Sequence, residues 1–187
     1  MSKAYQLVDF LHRRGFERLG AGIYSVVMAR GDSDRCIKIC RGRYYHHART
    51  ADQWCKYILW AHRMGYTGTF APKLYSLHCF EDGLYAAVIE RLWITLGDYQ
   101  GDKYREYREL SRGINMEFVD SCPGPRGDFY RAFHKAFQGN LDLHEENWMI
   151  RHNGDLVLTD PLSGEGTSSD MRLRERDLGI AQIGATA

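Results

Sequence analysis

The residues best suited to chemistry are Asp142, Asn147 and Asp160. They stand in Leu141-Asp142-Leu143-His144-Glu145-Glu146-Asn147 and, further on, in Leu156-Val157-Leu158-Thr159-Asp160-Pro161. One carboxylate can accept a hydroxyl proton. An amide oxygen and a second carboxylate are the hard oxygen ligands that Mg²⁺ prefers. Together they would place a hydroxyl against a nucleotide γ-phosphate. An Asp followed by an Asn at this spacing arises by chance in many chains, so the pattern draws its weight from what lies upstream. Each residue also has a plainer reading: Asp142 and Asp160 as turn residues, Asn147 as a loop amide. His144 reads as a loop histidine that orients the segment, with a direct catalytic role as the alternative.

Upstream, Leu19-Gly20-Ala21-Gly22-Ile23-Tyr24-Ser25-Val26-Val27 has Gly20 and Gly22 where backbone N–H groups can approach a triphosphate without a Cβ in the way. A tight β-hairpin is the alternative. Next comes Arg35-Cys36-Ile37-Lys38-Ile39-Cys40. Alternation along a strand puts Lys38 on one face with Cys36 and Cys40, and Ile37 with Ile39 on the other. A lysine on a part-apolar face sits at a sheet edge or reaches an anion, because burying it unpaired is costly. Cys36 and Cys40 read as small core residues rather than as a zinc site with His46 and His47.

These groups need elements to hold them. Leu7, Phe10 and Leu11 predict a leading helix over Ala4–Arg14. Phe16–Leu19 and Tyr24–Arg30 make the glycine hairpin, and Gly31-Asp32-Ser33-Asp34 turns into the Lys38 strand. Thr50 can cap a helix running to about Met64, with Gly65 just past its end. Leu74–Phe80 and Leu84–Glu90 are strands about Glu81-Asp82-Gly83. Tyr104–Ser111 is a charged, solvated helix. Pro125–Gln138 is an amphipathic helix whose Phe129, Phe133 and Phe137 form a core stripe. Trp148–Ile150 and Leu156–Leu158 form a ribbon over Asn153-Gly154, which brings Asn147 and Asp160 to one end. The tail 166–187 is weakly patterned, with one short helix near Asp170–Leu178.

At 187 residues the chain can bury one sizeable core. A net charge of +1 gives no broad case for nucleic acid or membrane binding. No apolar run is long enough to span a bilayer, and the start is not a signal peptide. Five scattered cysteines suit a reducing cytoplasm rather than a disulfide framework.

Glycine loop, strand lysine, then Asp…Asn…Asp is the order of protein kinases. The chain resembles the protein-kinase-like superfamily, and within it the small early serine/threonine kinases of T7-type bacteriophages. The resemblance spans roughly residues 16–165. It rests on Leu19–Ser25, Ile37-Lys38, Asp142-x-His144-x-x-Asn147 and Thr159-Asp160-Pro161 in place of Asp-Phe-Gly. It implies an α+β, minimal two-lobed kinase-like fold in one domain, with an antiparallel first lobe bearing one main helix (1–91), a reduced, mostly helical second lobe (92–165) and a tail (166–187). It implies ATP and Mg²⁺ as cofactors. Gly20, Gly22 and Ser25 would cover the phosphates, Val27 and Cys36 would roof the adenine, and Lys38 would bind the α/β-phosphates. Backbone groups of Glu90 and Leu92 would hydrogen-bond adenine. Asp142 would be the catalytic base, with Asn147 and Asp160 as Mg²⁺ ligands. Host proteins, including the transcription machinery, would be the substrates or targets during early host takeover in the host cytoplasm, with no direct role for nucleic acid or membrane.

Departures from the kinase pattern bear on the substrate. Asp52 is the one acidic residue between Lys38 and Met64, and so the candidate to replace the usual helix Glu as the lysine's partner. Leu141 stands where an Arg would answer loop phosphorylation, and Pro161-Leu162 replaces the mobile Phe-Gly. No Ala-Pro-Glu segment follows, so most of a peptide-binding floor is missing. A serine/threonine protein kinase is the leading expectation. A small-molecule phosphotransferase and a catalytically weak kinase-fold inhibitor of a host target are the alternatives, and fold alone does not choose among them.

Overall fold

The computed structural model describes residues 3–40, 43–45, 48–80, 84–105, 107–108, 121–137, 141–163 and 165–166; within 43–45, 48–52 and 165–166 it describes the backbone only. Helix α1 (Lys3–Arg13) opens the chain, one residue off the predicted bounds at each end. Its buried Ala4 and Leu11 face inward. It stops where Gly15 takes a φ of +79°, with Gly15 N donating to His12 O and Phe16 N to Leu11 O. That paired closure satisfies the last helical carbonyls, and the left-handed residue costs least as glycine.

Strands β1 (Glu17–Ala21), β2 (Ser25–Ala29) and β3 (Arg35–Cys40) follow as antiparallel neighbours. A hairpin of β4 (Arg43–Tyr45) and β5 (Ala48–Asp52) comes next, then helix α2 (Trp54–Arg63). Thr50 therefore lies in a strand and does not cap the helix, which starts four residues later at Trp54. A β-branched Thr suits a strand as well as a cap. What decides between them is pairing: β5 is bridged by β4 on one side and by β11 (Glu165–Gly166) on the other. α2 ends as predicted at Gly65, with a φ of +74°, in the same paired closure as α1, Gly65 N to His62 O and Tyr66 N to Ala61 O.

β6 (Leu74–Cys79) and β7 (Tyr85–Glu90) complete a five-stranded antiparallel sheet ordered β1-β2-β3-β7-β6. In this register one face carries Ser25, Val27, Cys36, Lys38, Cys40, Ala87 and Ile89, and the other Val26, Met28, Ile37, Ile39 and Ala86. Both faces contribute buried residues. The predicted 81–83 turn, the rest of the 104–111 helix and the short helix near Asp170–Leu178 lie outside the described residues; 104, 105, 107 and 108 are helical.

The chain divides into two compact units. The first comprises Met1–Leu59, Lys73–Arg91 and Gly164–Ala187, and the second Trp60–Pro72 with Leu92–Ser163. The second is built on helix α3 (Gly124–Ala136) and a three-stranded sheet of β8 (Ile94–Thr95), β9 (Trp148–Ile150) and β10 (Leu156–Leu158). Phe129 and Phe133 of the predicted stripe are fully buried. The Trp60 ring lies within 5.3–5.9 Å of the rings of Phe129, Phe133 and Phe137, so the stripe is core, as expected.

His134, also on α3, is buried, and its Nε2 has no hydrogen-bond partner. Burial holds its pKa below the ordinary 6.5, since desolvation disfavours the cation. The unfolded chain therefore binds this proton more readily than the folded one. The stability His134 allows is complete above about pH 6.5 and is lost as pH falls through its lower folded value. His134→Leu should raise stability by about 1 kcal/mol at pH 7 by removing the orphaned nitrogen. The gap from wild type should widen between pH 7 and 5 in urea titrations. A constant gap would show that His134 is not the titrating group.

Candidate functional site

Within the first unit, the β3 register sets out four of the predicted site residues. Lys38 lies opposite Val27 on β2 and Ala87 on β7, and Cys36 lies opposite Ile89. Ser25, Val27, Cys36 and Lys38 thus share one sheet face. Lys38 is only 5% exposed, which settles its placement against the surface alternative. Its Nζ stands 4.7 Å from the centroid of the Trp54 ring. Asp52, expected near the helix start as the lysine's candidate partner, ends β5 opposite Glu165, two residues before α2. Its side chain lies outside the described residues.

The glycine hairpin turns where Gly22 N donates to Ser25 O at 3.0 Å, with Ile23 at the tip 67% exposed. No atom lies within 4 Å of where a Cβ would stand on Gly20 or Gly22. Packing does not demand glycine at either position, so its effect is to leave the backbone uncovered. The Gly22 N–H, however, is not turned outward toward a phosphate as expected, because it closes the turn. Ser25 is buried opposite Cys40.

At the end of β7, Glu90 N donates to Lys73 O at 3.0 Å, and the Glu90 carboxylate accepts from Lys73 N at 2.8 Å. The Glu90 N–H is therefore occupied, and its carbonyl faces Cys36 Sγ at 3.6 Å. Leu92 is the first residue of the second unit after the break at Arg91. Burial pushes the Cys36 thiol up to about 12, against the lowering pull of Arg91 and Lys38 and with a smaller push from Glu90. Stability that depends on the neutral thiol is present below the unfolded pKa near 8.5 and is lost as pH rises through about 12. At pH 8 the folded protein should alkylate at Cys36 about 10²–10³-fold more slowly than the urea-unfolded chain, read by peptide mapping. Equal rates would show the thiol to be accessible and ionised.

Within the second unit, Asp142, Asn147 and Asp160 are drawn together by the backbone. The register Leu158↔Trp148 and Leu156↔Ile150 puts Asn147 and Thr159 at the same end of the β9–β10 ribbon. Thr159 N and Oγ1 each donate to Asn147 O at 2.8 Å. Asp142 N donates to Pro161 O at 2.8 Å, and Leu141 bridges Leu162. Asn147 Nδ2 donates to Asp142 O at 2.8 Å. Together these bonds tie the Asp142 loop to the strand end that carries Asp160.

The orientation of the Asn147 amide matters chemically. Its nitrogen is directed at Asp142 O and, at 3.0 Å, at His144 Nε2. The oxygen, the atom a hard metal needs, is thereby turned from these contacts. His144 Nε2 also lies 3.5 Å from Asp142 Oδ1, so His144 touches both the candidate base and the candidate ligand. These contacts suit an orienting role and a direct one alike. Glu145, in the 3₁₀ turn Glu145–Asn147, is paired with Arg108 at 3.0 Å. The charged 104–108 segment, expected to be a solvated face only, thus anchors this loop.

Among the described residues, no three His, Cys, Asp or Glu side chains form a metal-holding cluster. A Mg²⁺ bound with a nucleotide does not require one, because phosphate and water oxygens complete its octahedron around one or two protein ligands. One carboxylate and one amide oxygen are the donor types that fit that demand. The fold is α+β: an antiparallel sheet bearing a buried lysine and one helix, followed by a helix and a short ribbon bearing Asp…Asn…Asp. This is the mixed α+β architecture expected of the chain.

No protein-family model matches the sequence, and no curated protein does. Among solved structures the chain is similar to one from the CAK complex of Chaetomium thermophilum bound to ATP-gamma-S, at 19% identity and a TM-score of 0.46, covering 83% of this chain and 49% of that one. The chain thus spans about half the length of that structure's chain. Among the described residues, no helix is long and apolar enough to cross a membrane.

Proposed function

We propose that the protein is an ATP- and Mg²⁺-dependent phosphotransferase that phosphorylates serine or threonine in proteins. The observation that carries this reading is the interlocked loop in which Asn147 Nδ2 holds Asp142 O while Asn147 O receives both donors of Thr159. A turn that merely connects two strands has no need of a carboxylate, an amide and a second carboxylate in this order on a backbone so tied.

Asp142 accepts the proton of the attacking hydroxyl. Asn147 and Asp160 would hold Mg²⁺, which neutralises charge on the phosphates when bound. Lys38 would supply a cation to nucleotide phosphate. Positioning and charge neutralisation dominate phosphoryl transfer, so a small set of groups suffices. The resemblance to the early kinases of T7-type phages supports host proteins, the transcription machinery among them, as substrates in the host cytoplasm. One observation favours a second reading, a small-molecule acceptor: His144 contacts both Asp142 and Asn147 at a position where protein kinases usually carry Lys or Arg.

Incubation with γ-labelled ATP and Mg²⁺ should label the protein itself or a protein in host extract, and EDTA should abolish the label. Labelling of small metabolites alone would select the second reading. No label together with no nucleotide-induced rise in melting temperature would leave a kinase-fold binding protein.

A further inference from the structure

We infer that the π face of Trp54 orients the Lys38 ammonium through a cation–π contact. Trp54 is the first residue of α2 and is 1% exposed. Its ring is stacked on Tyr85 of β7 at 5.4 Å and 16°, so its plane is set by the sheet that carries Lys38. Tyr85, Ala87 and Ile89 alternate onto the Lys38 face. Ala87, directly opposite Lys38, has only a methyl group, which leaves room for the lysine stem to reach the ring. Nζ then lies 4.7 Å from the ring centroid, inside the range in which the ring quadrupole attracts a cation, and most strongly for tryptophan.

The ring has only two side-chain torsions and is held by its stacking on Tyr85, so it offers the ammonium a fixed face. Trp54 is thus a positioning residue for Lys38, and its relevance to phosphate binding rests on the function proposed above.

The test separates the quadrupole from simple packing. Tryptophan at position 54 is replaced site-specifically by its mono-, di- and trifluoro analogues, which drain the π face with little change of shape. The series is made in wild type and in a Lys38→Met background, and melting temperatures are measured without nucleotide. The expected result is a stepwise fall of about 3–6 °C across the series with Lys38 present, and a flat series in the Lys38→Met background, where no ammonium faces the ring. The same slope in both backgrounds would overturn the inference, because Trp54 would then be packing alone. ATP titrations of the series that retains Lys38 distinguish this from the parent reading. Affinity falling with fluorination supports both. A Lys38-dependent melting series with no nucleotide binding in any variant supports the pairing and removes the nucleotide reading instead.

Discussion

Asp142→Asn lowers the rate of phosphoryl transfer by about 10²–10⁴, the range for loss of a general base, and leaves ATP affinity within about threefold. The substitution is informative because the segment is held by main-chain groups. Asp142 N is bonded to Pro161 O, and Asp142 O receives Asn147 Nδ2. Neither bond involves the carboxylate, so an isosteric amide retains the frame and removes only the proton acceptor. The loss should fall on kcat rather than KM, with the melting temperature within about 2 °C of wild type. A rate within about threefold of wild type would show that Asp142 is a turn residue and that the proton goes elsewhere.

Asp160→Ala should abolish the Mg²⁺-dependent part of ATP binding and reduce turnover by about 10²–10³, the range for loss of one fixed electrostatic group. The ties that Thr159 N, Thr159 Oγ1 and Pro161 O make to the loop remain in the variant. The readout is the melting shift produced by ATP with and without Mg²⁺. Wild type should show a larger shift with the metal, and the variant an equal and small one in both. A Mg²⁺-dependent shift of full size in Asp160→Ala would remove this carboxylate from the metal site. Asp160→Asn should fall between the two, since an amide oxygen is a weaker ligand without charge.

Local chemistry explains which features are legible in the residues. Gly15 and Gly65 take positive φ at helix ends, a position where glycine has no rival, so the ends of α1 and α2 are visible in sequence. Alternation alone places Cys36, Lys38 and Cys40 on one face. The Asn153-Gly154 turn fixes the β9–β10 register and with it the meeting of Asn147 and Thr159. The β4–β5 hairpin is hidden because its signal is non-local: β5 is completed by Glu165–Gly166, far along the chain, and Thr50 reads equally as a helix cap. Trp54 reads in sequence as one apolar residue on a helix face. Its contact with Lys38 exists only once β3, β7 and α2 are registered against one another. The Gly22 N–H shows the converse limit. Sequence can mark a backbone as uncovered, but not which amide a turn will consume.

The central claim is that Asn147 and Asp160 hold the metal of a bound Mg²⁺·ATP. The most direct measurement is a crystal structure with a non-hydrolysable ATP analogue and Mn²⁺, in which anomalous scattering locates the metal. The account predicts an anomalous peak bound by Asn147 Oδ1 and the Asp160 carboxylate, beside the triphosphate. Metal bound away from both ligands, or no nucleotide beside them, would contradict it.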